Sequence, residues 1–106
     1  MQTLESINET IKENPAVMLY FSAPTCNVYH ALKPKLLEAI SDNFETFEVV
    51  SIDVSTDADI AAHFSVFAIP TVLIFLDGRE FLRKSRHMSV GEVINEIKRP
   101  YEIMMN

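Results

Sequence analysis

The sequence predicts an α/β fold with a mixed central sheet and helices on both of its faces. Three observations carry this expectation. Helical and strand patterns follow one another in the order α-β-α-β-α-β-β-α. The run Ala16-Val-Met-Leu-Tyr-Phe21 is continuously apolar and follows a helical segment, the pattern of a strand covered on both faces. Asp77-Gly78 separates two strand-like runs by the two residues of a tight hairpin turn. A right-handed βαβ unit followed by a ββα unit gives a sheet with both parallel and antiparallel neighbours.

Each element has its own local reason. In Thr3–Glu13, Leu4, Ile7 and Ile11 recur at helical spacing, Thr3 is a suitable N-cap, and Asn14-Pro15 ends the helix. Ala16–Phe21 is the first strand, and Ser22-Ala-Pro-Thr a loop. Cys26–Ile40 reads as a helix with Leu32, Leu36, Leu37 and Ile40 on one side, kinked at Pro34. Phe44–Ile52 supplies a second strand through Phe47, Val49 and Val50. Thr56 is placed to cap a short helix, Asp57–Phe64, and Ser65–Pro70 is irregular. Thr71–Leu76 and Arg79–Ser85 form the hairpin strands. Ser89 caps the last helix, with Glu92 completing a capping box, and Pro100 ends it after Arg99. Tyr101–Asn106 is then an apolar tail that either docks or forms a partner surface.

With 106 residues, no repeat and no linker-like stretch, a single domain over 1–106 is expected. A hydrophobic content of 48% against 23% charged residues excludes bulk disorder. No apolar run reaches the roughly 20 residues of a membrane span. The N-terminus shows neither a basic leader nor an apolar stretch, so no signal peptide is expected. The formal charge of −6 speaks against nucleic acid as a partner. Arg79, Arg83, Lys84 and Arg86 cluster beside His87, as a solvated strand face or as a docking patch for an acidic partner. The lone cysteine, Cys26, permits no internal disulfide, which points to a reducing compartment, the cytoplasm.

Cys26 reads either as core filler or as a reactive thiol. Its place after a strand and a proline-containing loop, at the opening of a helix, favours the second, because free N–H groups and the helix dipole stabilise a thiolate. His30 lies four residues on, on the same helical face, where it can stabilise the thiolate or accept its proton, or simply sit on the surface. A Cys26/His30 metal pair lacks further ligands, and His63 and His87 are separated by other elements, so no metal site is expected. Pro70 cannot donate to a central ladder and so belongs at a strand start. The Ile69-Pro70 bond is cis or trans; taken by itself, an ordinary trans bond is the default.

The segment Phe21-Ser-Ala-Pro-Thr-Cys26-Asn-Val-Tyr29-His-Ala-Leu-Lys-Pro34 resembles the active-site segment of the thioredoxin family. Phe67-Ala-Ile69-Pro70-Thr71-Val-Leu-Ile-Phe75 resembles its cis-proline segment, Asp77-Gly78 the hairpin turn after it, and Ser51-Ile52-Asp53-Val54 the end of its middle strand. The resemblance runs from about residue 3 to residue 99. It implies a thioredoxin-like fold, with Cys26 as the nucleophile, Pro34 as the helix-kinking proline, and a groove for substrate at Thr25, Asn27, Tyr29, Ile69 and Pro70. The family's first edge strand has almost no room before residue 3, so four strands, or a vestigial fifth, are expected.

The departures from the family pattern carry mechanism. The family's Cys-x-x-Cys reads Cys26-Asn27-Val28-Tyr29, so Tyr29 replaces the resolving cysteine. Thr25 and Ser22 stand at the family's two aromatic positions ahead of the nucleophile. Tyr20 stands at its buried acid and Val49 at that acid's lysine partner. A single thiol can form a mixed disulfide but cannot release it, so turnover would need glutathione or another external thiol. Two functions follow as expectations. One is monothiol exchange with protein or peptide thiols and disulfides in cell redox homeostasis, without a resident cofactor. The other is a redox-inactive module that docks an extended peptide at Cys26 and Pro70. Monothiol glutaredoxins, which hold an iron–sulfur cluster with glutathione, are a poorer match, because Asn27-Val28-Tyr29 departs from their motif.

Overall fold

The structure is a computed structural model that describes residues 2–24 and 31–106. Within them the order is α1 (Leu4–Glu13), β1 (Ala16–Ser22), α2 (Leu32–Asn43), β2 (Glu48–Asp53), α3 (Ala58–His63), β3 (Thr71–Leu76), β4 (Arg79–Ser85) and α4 (Val90–Met105). The sheet runs β2-β1-β3-β4. β1 pairs with β2 in parallel and with β3 antiparallel, and β3 pairs with β4 antiparallel. Among the described residues the sheet has four strands, and the expected α/β class with a mixed sheet holds.

β1 is central, and its apolar run divides between the two layers by the strand period of two. Ala16, Met18 and Tyr20 pack with Leu36 and Ile40 of α2 and Val93, Ile94 and Ile97 of α4. Val17, Leu19 and Phe21 pack with Ile7 and Ile11 of α1 and Ile60 and Ala61 of α3. The same alternation sends Val72 and Ile74 to the first layer and Leu73 and Phe75 to the second. Leu32 and Leu37 are partly buried against the α2–α4 layer, as their helical spacing predicts.

Local chemistry sets most of the boundaries. Thr3 caps α1 by accepting from the Ser6 N–H at 3.0 Å, while Ser6 Oγ accepts from the Thr3 N–H. Asn14 Nδ2 donates to the Thr10 carbonyl and closes the other end. Asp77 and Gly78 adopt φ 54° and 80°, the left-handed pair that a two-residue hairpin loop requires. A bulge at Ile74/Phe75 leaves Phe81 opposite no residue of β3.

Three boundaries differ from expectation. β2 begins at Glu48 rather than Phe44. Phe44 instead ends α2, its N–H bonded to the Ile40 carbonyl and its ring against Phe47 and Tyr101. The N-cap of α3 is Asp57, not Thr56, whose hydroxyl donates to the Asp53 carbonyl inside the preceding turn. Pro100 does not end α4, which continues to Met105. The proline removes one helical hydrogen bond, and the turn beyond it is held by Tyr101, only 8% exposed, tilted against Phe44 and stacked on Phe47. The apolar tail therefore divides. Tyr101 and Met104 dock on the core, while Ile103 and Met105 face outward. At the other end of α4, Ser89 Oγ accepts from the Glu92 N–H, but the Glu92 carboxylate is bonded to Lys84.

Candidate functional site

The site expected from the sequence lies where the carboxyl end of β1 meets the amino end of β3. Thr25, Cys26, Asn27, Tyr29 and His30 lie outside the described residues, as does the expected helix start at Cys26. Pro34 lies in the first turn of α2 as described, where its missing N–H takes no bond from that helix. Ser22, the last residue of β1, offers its carbonyl to the Val54 N–H at 2.9 Å, which ties the end of β1 to the end of β2.

The other half of the site is described in full. The Ile69–Pro70 peptide bond is cis. Pro70 is buried, and β3 begins at the next residue. Among the described residues, neither the Ile69 N–H nor its carbonyl joins a backbone hydrogen bond. Pro70 itself accepts from the Arg86 N–H at 2.7 Å. Thr71, only 1% exposed, donates its hydroxyl to the Ala68 carbonyl at 2.6 Å and shares a 3.0 Å hydrogen bond with Ser85 Oγ.

Arg83 fastens the turn ahead of the proline. Its guanidinium donates to the Phe64 carbonyl at 2.9 Å and the Ser65 carbonyl at 3.1 Å, and also grips Glu80. The Glu80 carboxylate raises the already high Arg83 pKa, so this cation stays charged. Lys84 lies between Glu92 and Glu96 at 2.7 and 3.1 Å, and hydrogen bonds to both carboxylates raise its pKa. Of the basic cluster seen in the sequence, two members are thus already neutralised. Arg86, beside Pro70, makes no ion pair among the described residues.

The two positions where the family keeps its proton-transfer pair are buried or partly buried here. Tyr20 is 2% exposed on the α2–α4 side of β1, with Lys33 Nζ 5.8 Å from its ring centroid. Val49 is half-buried against the same layer. A phenol and an isopropyl group occupy these positions in place of a carboxylate and an ammonium group. Among the described residues, no group of three or more His, Cys, Asp or Glu side chains is arranged to hold a metal ion.

Sequence reasoning did not single out Phe67, whose ring is 85% exposed three residues before Pro70. The available signal was a large apolar residue in an irregular stretch with no helical or strand period to bury it. Replacing Thr71 with valine keeps the shape but strands the Ala68 carbonyl. It is expected to cost about 1–2 kcal/mol, read as a lower urea midpoint, with faster amide exchange at Val66.

The thioredoxin family model matches residues 1–99. The chain is 35% identical over 103 residues to the thioredoxin-like protein YdfQ of Bacillus subtilis, covering 97% of this chain and 91% of that one. Thioredoxin 1 of Thermosipho africanus superposes with a TM-score of 0.75 at 33% identity, over 85% of this chain and 99% of that one. A mutant thioredoxin from Halobacterium salinarum superposes at 0.81, over 95% and 87% of the two chains, at 21% identity, a likeness of fold alone. No described helix is long and apolar enough to cross a membrane.

Proposed function

The chain belongs to the thioredoxin family, and from that premise we propose that it carries out monothiol exchange through Cys26. The family relation supports thiol–disulfide redox chemistry in general. One observation supports the narrower reading: the lone cysteine stands in register with Pro34 and Ile69-Pro70, where the family carries its nucleophile, and Tyr29 replaces the second thiol.

In the proposed cycle the Cys26 thiolate attacks a disulfide of a protein or peptide. A new S–S bond forms to one substrate sulfur, and the other sulfur leaves as a thiolate and takes up a proton. The Ile69 N–H and carbonyl, which join no backbone hydrogen bond among the described residues, are suited to pair with the substrate backbone like a sheet edge. A low-molecular-weight thiol such as glutathione then attacks the Cys26 sulfur of the mixed disulfide, so that a Cys26–glutathione disulfide forms and the substrate sulfur leaves as a thiol; a second glutathione attacks the glutathione sulfur, the Cys26 thiolate is freed, and glutathione disulfide departs. His30 would steady the thiolate, and Thr25, Asn27 and Tyr29 would line the groove. No metal or organic cofactor enters the cycle. A lone cysteine is suited to a reducing compartment such as the cytoplasm.

The free Ile69 backbone and the exposed Phe67 ring equally favour a second reading, peptide docking without exchange. One experiment separates the two. Incubated with glutathione disulfide, the protein is expected to gain one glutathione by mass and to lose it to excess thiol, with Cys26→Ser as the blank. Thiolate absorbance is expected to titrate below about 8.5, the value of an unperturbed thiol. A thiol that titrates normally and takes up no glutathione overturns exchange and leaves docking.

A further inference from the structure

We infer that Phe67 and Arg86 flank the Ile69–Pro70 turn as a two-part reading surface for an extended peptide, Phe67 meeting an apolar side chain and Arg86 a carboxylate. The inference deepens the function proposed above and rests on it for the exchange chemistry alone.

Phe67 differs from the other phenylalanines in its setting. Phe21, Phe44 and Phe75 are buried, Phe47 and Phe64 are partly so, Phe81 on β4 is 44% exposed, and Phe67 is the most exposed at 85%. Its turn is tied at four points. The Val66 N–H donates to the Ala61 carbonyl at 2.8 Å, Arg83 holds the Phe64 and Ser65 carbonyls, and Thr71 holds the Ala68 carbonyl. A ring carried on a fixed turn loses little backbone entropy when a partner covers it. Covering a phenylalanine also removes a large apolar area from water.

Charge selects the rest of the partner. The chain carries −6 overall, while Arg83 and Lys84 are held by Glu80, Glu92 and Glu96. Arg86 makes no ion pair among the described residues, and its backbone N–H is bonded to the Pro70 carbonyl. It adopts φ 58°, a conformation that a glycine takes more readily, so the side chain is present at a backbone cost. Among the described residues the backbone N–H and carbonyl of Ile69, two residues after Phe67 and next to the Pro70 that Arg86 holds, join no backbone hydrogen bond. A peptide in strand-like pairing there fits best with an apolar residue toward Phe67 and an acidic one toward Arg86.

The test uses a short peptide with one cysteine, a leucine and an aspartate, carried as its mixed disulfide with thionitrobenzoate. Cys26 attacks the peptide sulfur, the Cys26–peptide disulfide forms, and thionitrobenzoate leaves as a coloured thiolate. The mercaptoethanol–thionitrobenzoate disulfide, which has no peptide to meet Phe67, is the reference. Phe67→Ala is expected to slow the peptide reaction about tenfold, Arg86→Gln about threefold, and to leave the reference within about twofold. Thermal midpoints should stay level. Equal slowing on both disulfides, or no slowing on the peptide, overturns the inference. If Cys26 reacts with neither disulfide, the exchange reading fails and the surface is judged by binding. The same peptide with serine for cysteine, fluorescently labelled, should then bind Phe67→Ala about tenfold more weakly by anisotropy. Equal binding would overturn the surface independently of the thiol.

Discussion

Replacing Tyr101 with alanine is expected to destabilise the protein by about 3–5 kcal/mol. The ring is 8% exposed, lies 4.7 Å from Phe44 and stacks on Phe47 at 6.1 Å. Its hydroxyl accepts from the Thr46 N–H at 3.0 Å and donates to the Thr46 carbonyl at 3.4 Å. Deleting it opens a cavity between α2, β2 and α4 and strands both Thr46 groups. It also removes the anchor that carries α4 past Pro100. For a chain this short, about 4 °C is lost per kcal/mol, so the thermal midpoint should fall by roughly 12–20 °C. Amides of residues 102–105 should exchange much faster. Tyr101→Phe, which loses only the hydroxyl contacts, is expected to cost about 1 kcal/mol. If the alanine variant melts within a degree or two of the parent, the last turn of α4 is held by something other than this ring.

Tyr29→Cys is expected to change the kinetics most. The proposed cycle stalls at the mixed disulfide because no second thiol follows Cys26. A cysteine at 29 would attack the Cys26 sulfur, form an internal disulfide and expel the substrate thiol. Release should then become independent of added glutathione and at least about 10²-fold faster, because an intramolecular nucleophile acts at high effective concentration. The readout is the lifetime of the mixed disulfide by quenched-flow mass spectrometry, with and without external thiol. Unchanged release would mean that position 29 is not placed to resolve Cys26.

The parts of the fold legible in the sequence were those encoded by neighbouring residues. Thr3 as the cap of α1, the apolar run of β1 and the Asp77-Gly78 pair each carry their structure locally, and β3 and β4 match their expected limits. The failures came where distant partners decide. Phe44 has the residue type of a strand but is claimed by Tyr101, more than fifty residues away along the chain. Pro100 ordinarily stops a helix, and the same aromatic contact overrides it. Thr56 is a good cap by type, but the Asp53 turn takes its hydroxyl first. Near the candidate site, the Ile69-Pro70 turn just ahead of β3 was legible through its motif. Phe67 was not, because no periodicity marks an apolar side chain that the fold leaves in water. Arg83 was read as one member of a charged run, and only the folded hairpin shows it gripping the turn that carries Phe67.

The strand order β2-β1-β3-β4 has a consequence for how this molecule keeps company with itself. Among the described residues no strand pairs with the outer margin of β2 or β4, and such margins invite accretion by another chain, the first step toward fibrils. On β2, Gln2 reaches across to occupy the Ser51 carbonyl at 2.8 Å, and Glu48 stands exposed at the strand's start. On β4, the kink at Phe81 spoils straight pairing, and Arg79, Glu80, Arg83 and Lys84 would have to be dehydrated by any lateral neighbour. Protection that other sheets obtain by covering their flanks is obtained here with one amide, one irregularity and a row of charges.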